Sequence, residues 1–387
     1  MSAEAKMWLE KIQALALLQT NSQLIPQSIP QPIRILNVCG GHERSIAMAG
    51  LRGVLPKQVE LIPGPGCPVC VCPEEDLYAA IQLSLNESVI LVTYGDMMRV
   101  PVNVSKAEPR TLVEARALGA DIRPVASPQE VLAIARENSN QQVCFFVAGF
   151  ETTTAPLAAM MAEGVPDNLS ILLSARLTWP AVELLLSSDV QEEKGKEKEK
   201  EKETVFDALV APGHVAAIMG ADQWAFVSQK HGIATAVAGF TNESLLAAFY
   251  SLLCQVLDGK AQLDNCYQHV VSDQGNLFAQ NIIQQVLEVV DANWRGIGII
   301  PQSGYALSGA YSQYDARQRF SIVEDSQRKR AGEMPPACDC ADVLLGKIYP
   351  NQCRLYGRTC NPRQPVGPCM VSDEGACHIW WRSGIRD

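Results

Sequence analysis

Short apolar runs recur along this chain, each ended by a glycine-bearing turn and followed by a segment of helical character. Ile33–Val38 runs into Cys39-Gly40-Gly41-His42, Val89–Thr93 into Tyr94-Gly95-Asp96, and Val143–Ala148 into Gly149-Phe150-Glu151. Ile171–Ser174, Ala208–Ala211 and Ile233–Ala238 repeat the grammar. Strands alternating with helices predict an α/β fold with parallel sheets, whose ligand crevice lies outside the strand carboxyl ends. The string Val147-Ala148-Gly149-Phe150 returns as Val237-Ala238-Gly239-Phe240, which points to two similar units.

Other stretches read differently. Met1–Thr20 sets Trp8, Ile12, Leu15 and Leu18 at roughly helical spacing, predicting an amphipathic helix that Pro26, Pro30 and Pro32 separate from the first apolar run. Gln191–Glu203 is a nearly charge-balanced Lys/Glu run, expected to be a solvated loop without catalytic work. Past residue 255 the rhythm fades, and from Arg328 the chain is rich in Pro, Gly and Cys, as in segments ordered by a metal centre. The expected division is residues 1–125 for the first helix and first α/β unit, 126–255 for a second unit carrying the 191–203 insert, and 256–387 for a cysteine-rich unit.

Composition narrows the function classes. At 387 residues and 47% hydrophobic, the chain can build more than one core. A formal charge of −10 argues against a general nucleic-acid binder and offers no polybasic membrane patch. No apolar run reaches membrane-spanning length, and the first residues do not read as a secretory leader, so a cytoplasmic protein is expected. In that compartment thirteen cysteines speak for metal or redox chemistry over structural disulfides.

Six of those cysteines crowd the tail. Four read Cys338-x14-Cys353-x6-Cys360-x16-Cys377, leaving Cys340 and Cys369 unassigned. Four thiolates can hold a [4Fe–4S] cluster, whereas structural zinc favours tight C-x2-4-C knuckles that this tail lacks. The run Gly64-Pro65-Gly66-Cys67-Pro68-Val69-Cys70 offers a C-x2-C pair, either a dithiol or two metal ligands, with Cys72 a possible third thiolate. Cys39-Gly40-Gly41-His42-Glu43 ends the first strand, where paired glycines permit close approach and His42 can ligate metal, hydrogen-bond or move a proton. Thr152 or Thr153 can cap the next helix, where Glu151 is favoured by the helix dipole, or Glu151 serves the site; Asp96 is a capping acid, or a site residue if its loop faces the crevice. His214, in Ala211-Pro212-Gly213-His214-Val215, also follows a strand. Cys144 and Cys254 sit in apolar runs and are expected to be buried packing residues, while Cys266 has no evident partner.

Together these motifs closely resemble the HypD family, iron–sulfur scaffold proteins of [NiFe]-hydrogenase maturation. CGGHE at 39–43, GPGCPVCV at 64–71, GDMMRVP at 95–101 and GFETT at 149–153 carry the resemblance, with APGHV at 211–215, WRGIG at 294–298, PVGPCMVS at 365–372 and the tail cysteine spacing. The resemblance implies two similar Rossmann-like α/β domains with parallel sheets plus a C-terminal [4Fe–4S] domain. It implies assembly of the Fe(CN)2CO unit with a HypC-like chaperone and a HypE-like cyanide donor, by an assembly scaffold more than by a turnover enzyme. On that basis Cys39 looks like the thiolate holding the mononuclear iron, with His42 close by, and Cys67 and Cys70 like the thiol pair facing it. Cys338, Cys353, Cys360 and Cys377 match the cluster ligands, and Cys340 and Cys369 a redox-active pair. Cys72, the Arg176–Pro180 segment, Thr241-Asn242, His269 and the charged insert depart from the family pattern. The rival readings are a cluster-dependent thiol/disulfide reductase acting on another protein and a zinc-stabilised scaffold without redox function.

Overall fold

The computed structural model describes residues 1–21, 31–187, 206–320, 322 and 334–385. The charged run 191–203 and Pro26 and Pro30 lie outside the described residues. The chain opens with the helix Ala3–Asn21, which lies against the helix Asn242–Leu257, with Ile12 fully buried and Trp8 beside Tyr250. Strands β1 (Ile33–Cys39) and β2 (Val59–Gly66) then pair in parallel. The chain leaves them to build β3 (Val89–Tyr94), β4 (Ile122–Val125), β5 (Gln142–Gly149) and β6 (Leu169–Ala175), ordered β4-β3-β5-β6. It returns with β7 (Ala208–Pro212), β8 (Ala234–Ala238) and β9 (Leu263–Asn265), completing a sheet ordered β2-β1-β7-β8-β9. An antiparallel ribbon of β10 (Leu287–Trp294) and β11 (Gly298–Leu307) comes next in the chain.

Each strand expected from the apolar runs is present within two residues of its expected ends. Strand β2 was not expected, because Pro63, Gly64, Pro65 and Gly66 read as a loop. It occupies the edge of its sheet, where a proline costs no ladder bond on the open side. The first sheet is assembled from two separate stretches, 33–66 and 208–265, and the second from 89–175 alone. A division at 125 and 255 follows chain order and not sheet membership. Sheet membership is set by the parallel pairing of β1 with β7, Leu36 opposite Leu209, a contact that no local pattern encodes.

Strand order fixes where ligands can enter. In the first sheet the order reverses between β1 and β7, and in the second between β3 and β5. Adjacent loops diverge at such points and open a crevice at the carboxyl ends. The four motif loops occupy these two points: CGGHE after β1, APGHV at the end of β7, YGD after β3 and GFETT at the end of β5. The repeated VAGF string likewise spans the carboxyl ends of β5 and β8.

The tail is built from short pieces: a helix Cys340–Leu344, single turns Pro350–Gln352 and Pro368–Met370, and a helix Ala376–Arg382. It has no core of its own. Cys340, Cys353, Cys360, Cys369, Cys377 and Trp380 pack into the same apolar cluster as Cys67, Cys70, Met97 and Trp294. Arg295 of the WRGIG segment is buried beneath this junction, where its Nη2 donates to Glu74 and to the carbonyl of Pro101. Among the described residues no helix is long and apolar enough to cross a membrane.

Candidate metal and thiol centre

Cys39 ends β1 and precedes the helix Gly40–Met48. The register of β1 on β2 skips one residue between Asn37 and Cys39, setting Cys39 opposite Gly66. Cys67 therefore follows directly beside the Cys39 backbone. A Cβ at Gly66 would lie 1.7 Å from the carbonyl oxygen of Val38, so only glycine permits this approach. Cys67 and Cys70 are joined by a disulfide across the short helix Pro68–Val71, and both are buried. With Cys67 and Cys70 bonded to each other, Cys72 forms no thiolate trio with them, and its sulfur is 3.4 Å from the hydroxyl of Ser174. Burial pushes the Cys72 thiol up to about 12.

The paired glycines of CGGHE make room for the chain itself. A Cβ at Gly40 would meet the backbone oxygen of Glu374 at 2.5 Å, and one at Gly41 would meet Phe240 at 2.9 Å. Phe240 is flanked by two imidazoles, His42 at 4.5 Å and His214 at 3.8 Å between ring centroids. His42 is fully buried, with Nε2 3.0 Å from the carbonyl oxygen of Ala238. A carbonyl only accepts, so Nε2 carries the proton and Nδ1 presents a lone pair, which has no partner among the described residues. Loss of water holds the His42 ring neutral, lowering its pKa to about 4. Burial likewise pushes half-buried Cys39 up to about 12, with the nearby Glu374 charge adding to the effect. A soft cation that displaces the proton is what would make this sulfur a thiolate.

Glu43, the last residue of CGGHE, is buried and holds the tail in place. Its carboxylate accepts from Trp380 Nε1 at 2.8 Å, from Arg52 Nη2 at 2.7 Å and from Asn37 Nδ2 at 3.3 Å. The Arg52 guanidinium also lies over the Trp380 ring, 5.2 Å from its centroid. The turn Pro368–Met370, which carries Cys369, rests on the helix Pro68–Val71. Glu374 sits between the two crevices, its backbone over Gly40 and its carboxyl raised by burial and by Asp96 beyond β3.

All six tail thiols converge beneath these contacts. The sulfurs of Cys340, Cys369 and Cys377 lie within 4.8 Å of one another and all three residues are buried. Cys338 Sγ is 3.2 Å from Cys340 Sγ, and the backbone N–H of Cys377 donates to the Cys369 sulfur at 3.2 Å. Cys353 and Cys360 are buried and Cys338 is part-buried, and Cys360 Sγ accepts from the N–H of Val366 at 3.4 Å. Sulfurs crowd so closely that a Cβ on Gly367 would lie 2.5 Å from Cys338 Sγ and 2.6 Å from Cys340 Sγ. Buried soft donors in this number fit an iron–sulfur centre. The close trio joins the two residues expected to form a pair, Cys340 and Cys369, with one expected ligand, Cys377.

One expected site residue makes its contacts on the second sheet. Glu151 is buried at the crevice of the second sheet and accepts from both the backbone N–H and the hydroxyl of Thr178. Through these two bonds it satisfies the N-terminus of the helix Thr178–Leu186. Cys144 is buried in β5 as expected, but Cys254 is only half-buried on its helix. Sequence reasoning passed over Glu374 and Trp380, which lie within the tail among ordinary loop and helix residues. Phe240 carried a signal in the repeated VAGF string, but not its role between two histidines.

Comparisons with known proteins bear on the family of the chain. A family model described as HypD, hydrogenase formation hypA family, matches residues 13–384. Hydrogenase maturation factor HypD2 of Bradyrhizobium diazoefficiens is 38% identical over 366 residues, covering 92% of this chain and 91% of the relative. Hydrogenase maturation factor HypD of Azotobacter vinelandii is 36% identical over 355 residues, covering 91% and 89%. The Escherichia coli HypD is 35% identical over 380 residues, covering 96% and 94%. Motifs, sheet order and full-length similarity lead to one assignment: the chain belongs to the HypD family of hydrogenase maturation factors.

Proposed function

We propose that this chain assembles the Fe(CN)2CO unit of a [NiFe]-hydrogenase, in the cytoplasm, together with a HypC-like chaperone and a HypE-like cyanide donor. One observation carries the reading. The Cys39 loop, the Cys67–Cys70 helix and the tail thiols meet in one packed junction, through the Cys39–Gly66 register, the Glu43–Trp380 bond and the turn at Cys369.

The iron is cargo. Cys39 holds it at the mouth of the first sheet, and the Nδ1 lone pair of the neutral His42 ring accepts a hydrogen bond from a ligand there. Cyanide reaches the site as a thiocyanate. Breaking its S–C bond to give a thiol and hydrogen cyanide takes two electrons and two protons. Cys67 and Cys70 supply both as they close from two thiols to the disulfide seen here. The pair must then be reduced again, and Cys369 lies in the turn that touches its helix. A [4Fe–4S] cluster held by Cys338, Cys353, Cys360 and Cys377 would supply single electrons at the tail. Cys340 and Cys369 would form the adjoining pair.

Co-expression with the HypC-like partner, followed by anaerobic infrared spectroscopy, tests the reading. Cyanide and carbonyl stretches in the wild-type complex and their loss in Cys39→Ala are expected. Stretches of wild-type strength from Cys39→Ala would defeat it. A protein that reduces foreign disulfides but never carries these bands would favour the reductase reading instead.

A further inference from the structure

Charge along the tail is not distributed like charge in the rest of the chain. Residues 343–372 contain Lys347, Arg354, Arg358 and Arg363 and no acidic residue, in a protein of net charge −10. All four are exposed. The guanidinium groups of Arg354, Arg358 and Arg363 have no acidic partner among the described residues. Arg99, also exposed, joins them from the second sheet, its Nη2 donating to the carbonyl of Pro362 at 2.5 Å.

These arginines stand on the loops that carry thiols. Arg354 adjoins Cys353. Arg358 lies in a tight loop closed by Cys360 N–H to Leu355 O at 2.9 Å and Gly357 N–H to Cys360 O at 3.0 Å. Arg363 lies in the next turn, just before the Val366 N–H that meets the Cys360 sulfur. Cys353 and Cys360 are 8% and 6% exposed, whereas Cys369 beneath them is fully enclosed. Cys353 and Cys360 thus lie on loops that bear these arginines, and the more exposed Cys338 lies on a separate segment beside Asp339. Acids resume at Asp373 and Glu374, on the side facing Cys39.

We propose that the face formed by Arg354, Arg358 and Arg363, with Arg99 at its edge, docks an acidic one-electron carrier protein that reduces the thiol centre below. The proposal rests on the assembly reading above and names the partner of its tail site. Opening the Cys67–Cys70 disulfide to two thiols takes two electrons and two protons. Two successive carriers give one electron each and leave singly oxidised, and the protons come from solvent. A nucleic acid is disfavoured, because the overall negative charge repels an extended polyanion beyond one small patch. A compact acidic protein meets only the patch, within a screening length of about 8–10 Å.

Reduced flavodoxin, an acidic flavin carrier, serves as the probe against the anaerobically purified holoprotein. Expected is a salt-sensitive association and reduction that fall on the order of tenfold in the triple variant R354Q/R358Q/R363Q. Iron content, visible spectrum, melting temperature and reduction by a neutral photoexcited deazaflavin should match wild type. The variant R116Q/R136Q, altered at exposed arginines elsewhere, should behave as wild type. Wild-type flavodoxin kinetics in the triple variant, or kinetics indifferent to salt, would overturn the proposal. So would loss of binding to RNA or to anionic vesicles with flavodoxin unaffected. Absence of iron from the purified protein would instead strike the assembly reading, while flavodoxin association, read without electron transfer, still decides the docking face.

Discussion

Trp380 Nε1 donates to Glu43 Oε1 at 2.8 Å, joining a tail helix that carries Cys377 to the helix that follows Cys39. Both residues are buried, and Glu43 holds Arg52 and Asn37 as well. Trp380→Phe keeps the aromatic contact with Tyr349 but removes the donor. Denaturant unfolding should show a loss of about 1–3 kcal/mol. Glu43→Ala leaves buried Trp380 and Asn37 and part-buried Arg52 without their acceptor and should cost more, about 3–5 kcal/mol. Equal stability of wild type and Glu43→Ala would mean that the tail is held by other contacts.

Two glycines separate fold from thiol centre. Gly66→Ala forces β2 away from the Val38 carbonyl beside Cys39, where the backbone cannot yield cheaply. The expected loss is about 1–3 kcal/mol or more, read as a lower melting temperature. Gly367→Ala drives a methyl into the sulfurs of Cys338 and Cys340 instead. It should reduce iron bound per chain after anaerobic purification, with the far-ultraviolet dichroism of both sheets retained. Full iron content in Gly367→Ala would contradict the thiol packing.

Glu151 makes a pH prediction with a definite sign. Burial raises its carboxyl above the ordinary 4.5, even though the Thr178 hydroxyl and N–H work against the shift. The folded protein therefore binds this proton more tightly than the unfolded chain. The stabilisation is complete below 4.5 and is lost as pH rises through the folded value. Glu151→Gln cannot ionise, so the difference in stability between variant and wild type should shift in the variant's favour as pH rises from 4.5. A difference independent of pH would show that Glu151 does not titrate in this environment.

Thiol reactivity tests the burial pattern. Native, chemically reduced protein treated with iodoacetamide should be labelled at half-buried Cys254 before Cys72 or Cys144. Those two are buried and their thiols are pushed up to about 12, so they should wait for unfolding. Without reductant, Cys67 and Cys70 should stay unlabelled even in denaturant. Mass spectrometry of the digests reads all five sites, and early labelling of Cys72 would place it on the surface.

Much of this protein is legible in its sequence because the signals are local. Apolar runs ending in glycine turns identify β1, β3, β5, β6, β7 and β8, since a buried parallel strand needs a continuous apolar run whatever lies beside it. The cysteine clusters and motif loops are visible for the same reason: a thiol ligand or a tight turn is encoded by the residues that form it. Tertiary structure alone decided which strands share a sheet, because β1 finds β7 only after the chain has built another sheet between them. It also turned Glu151 toward Thr178, set Phe240 between His42 and His214, and brought Glu374 over Gly40. Each of these is a contact between segments distant in sequence, selected by packing and by the need to satisfy buried polar groups, and neither requirement leaves a mark on the local pattern.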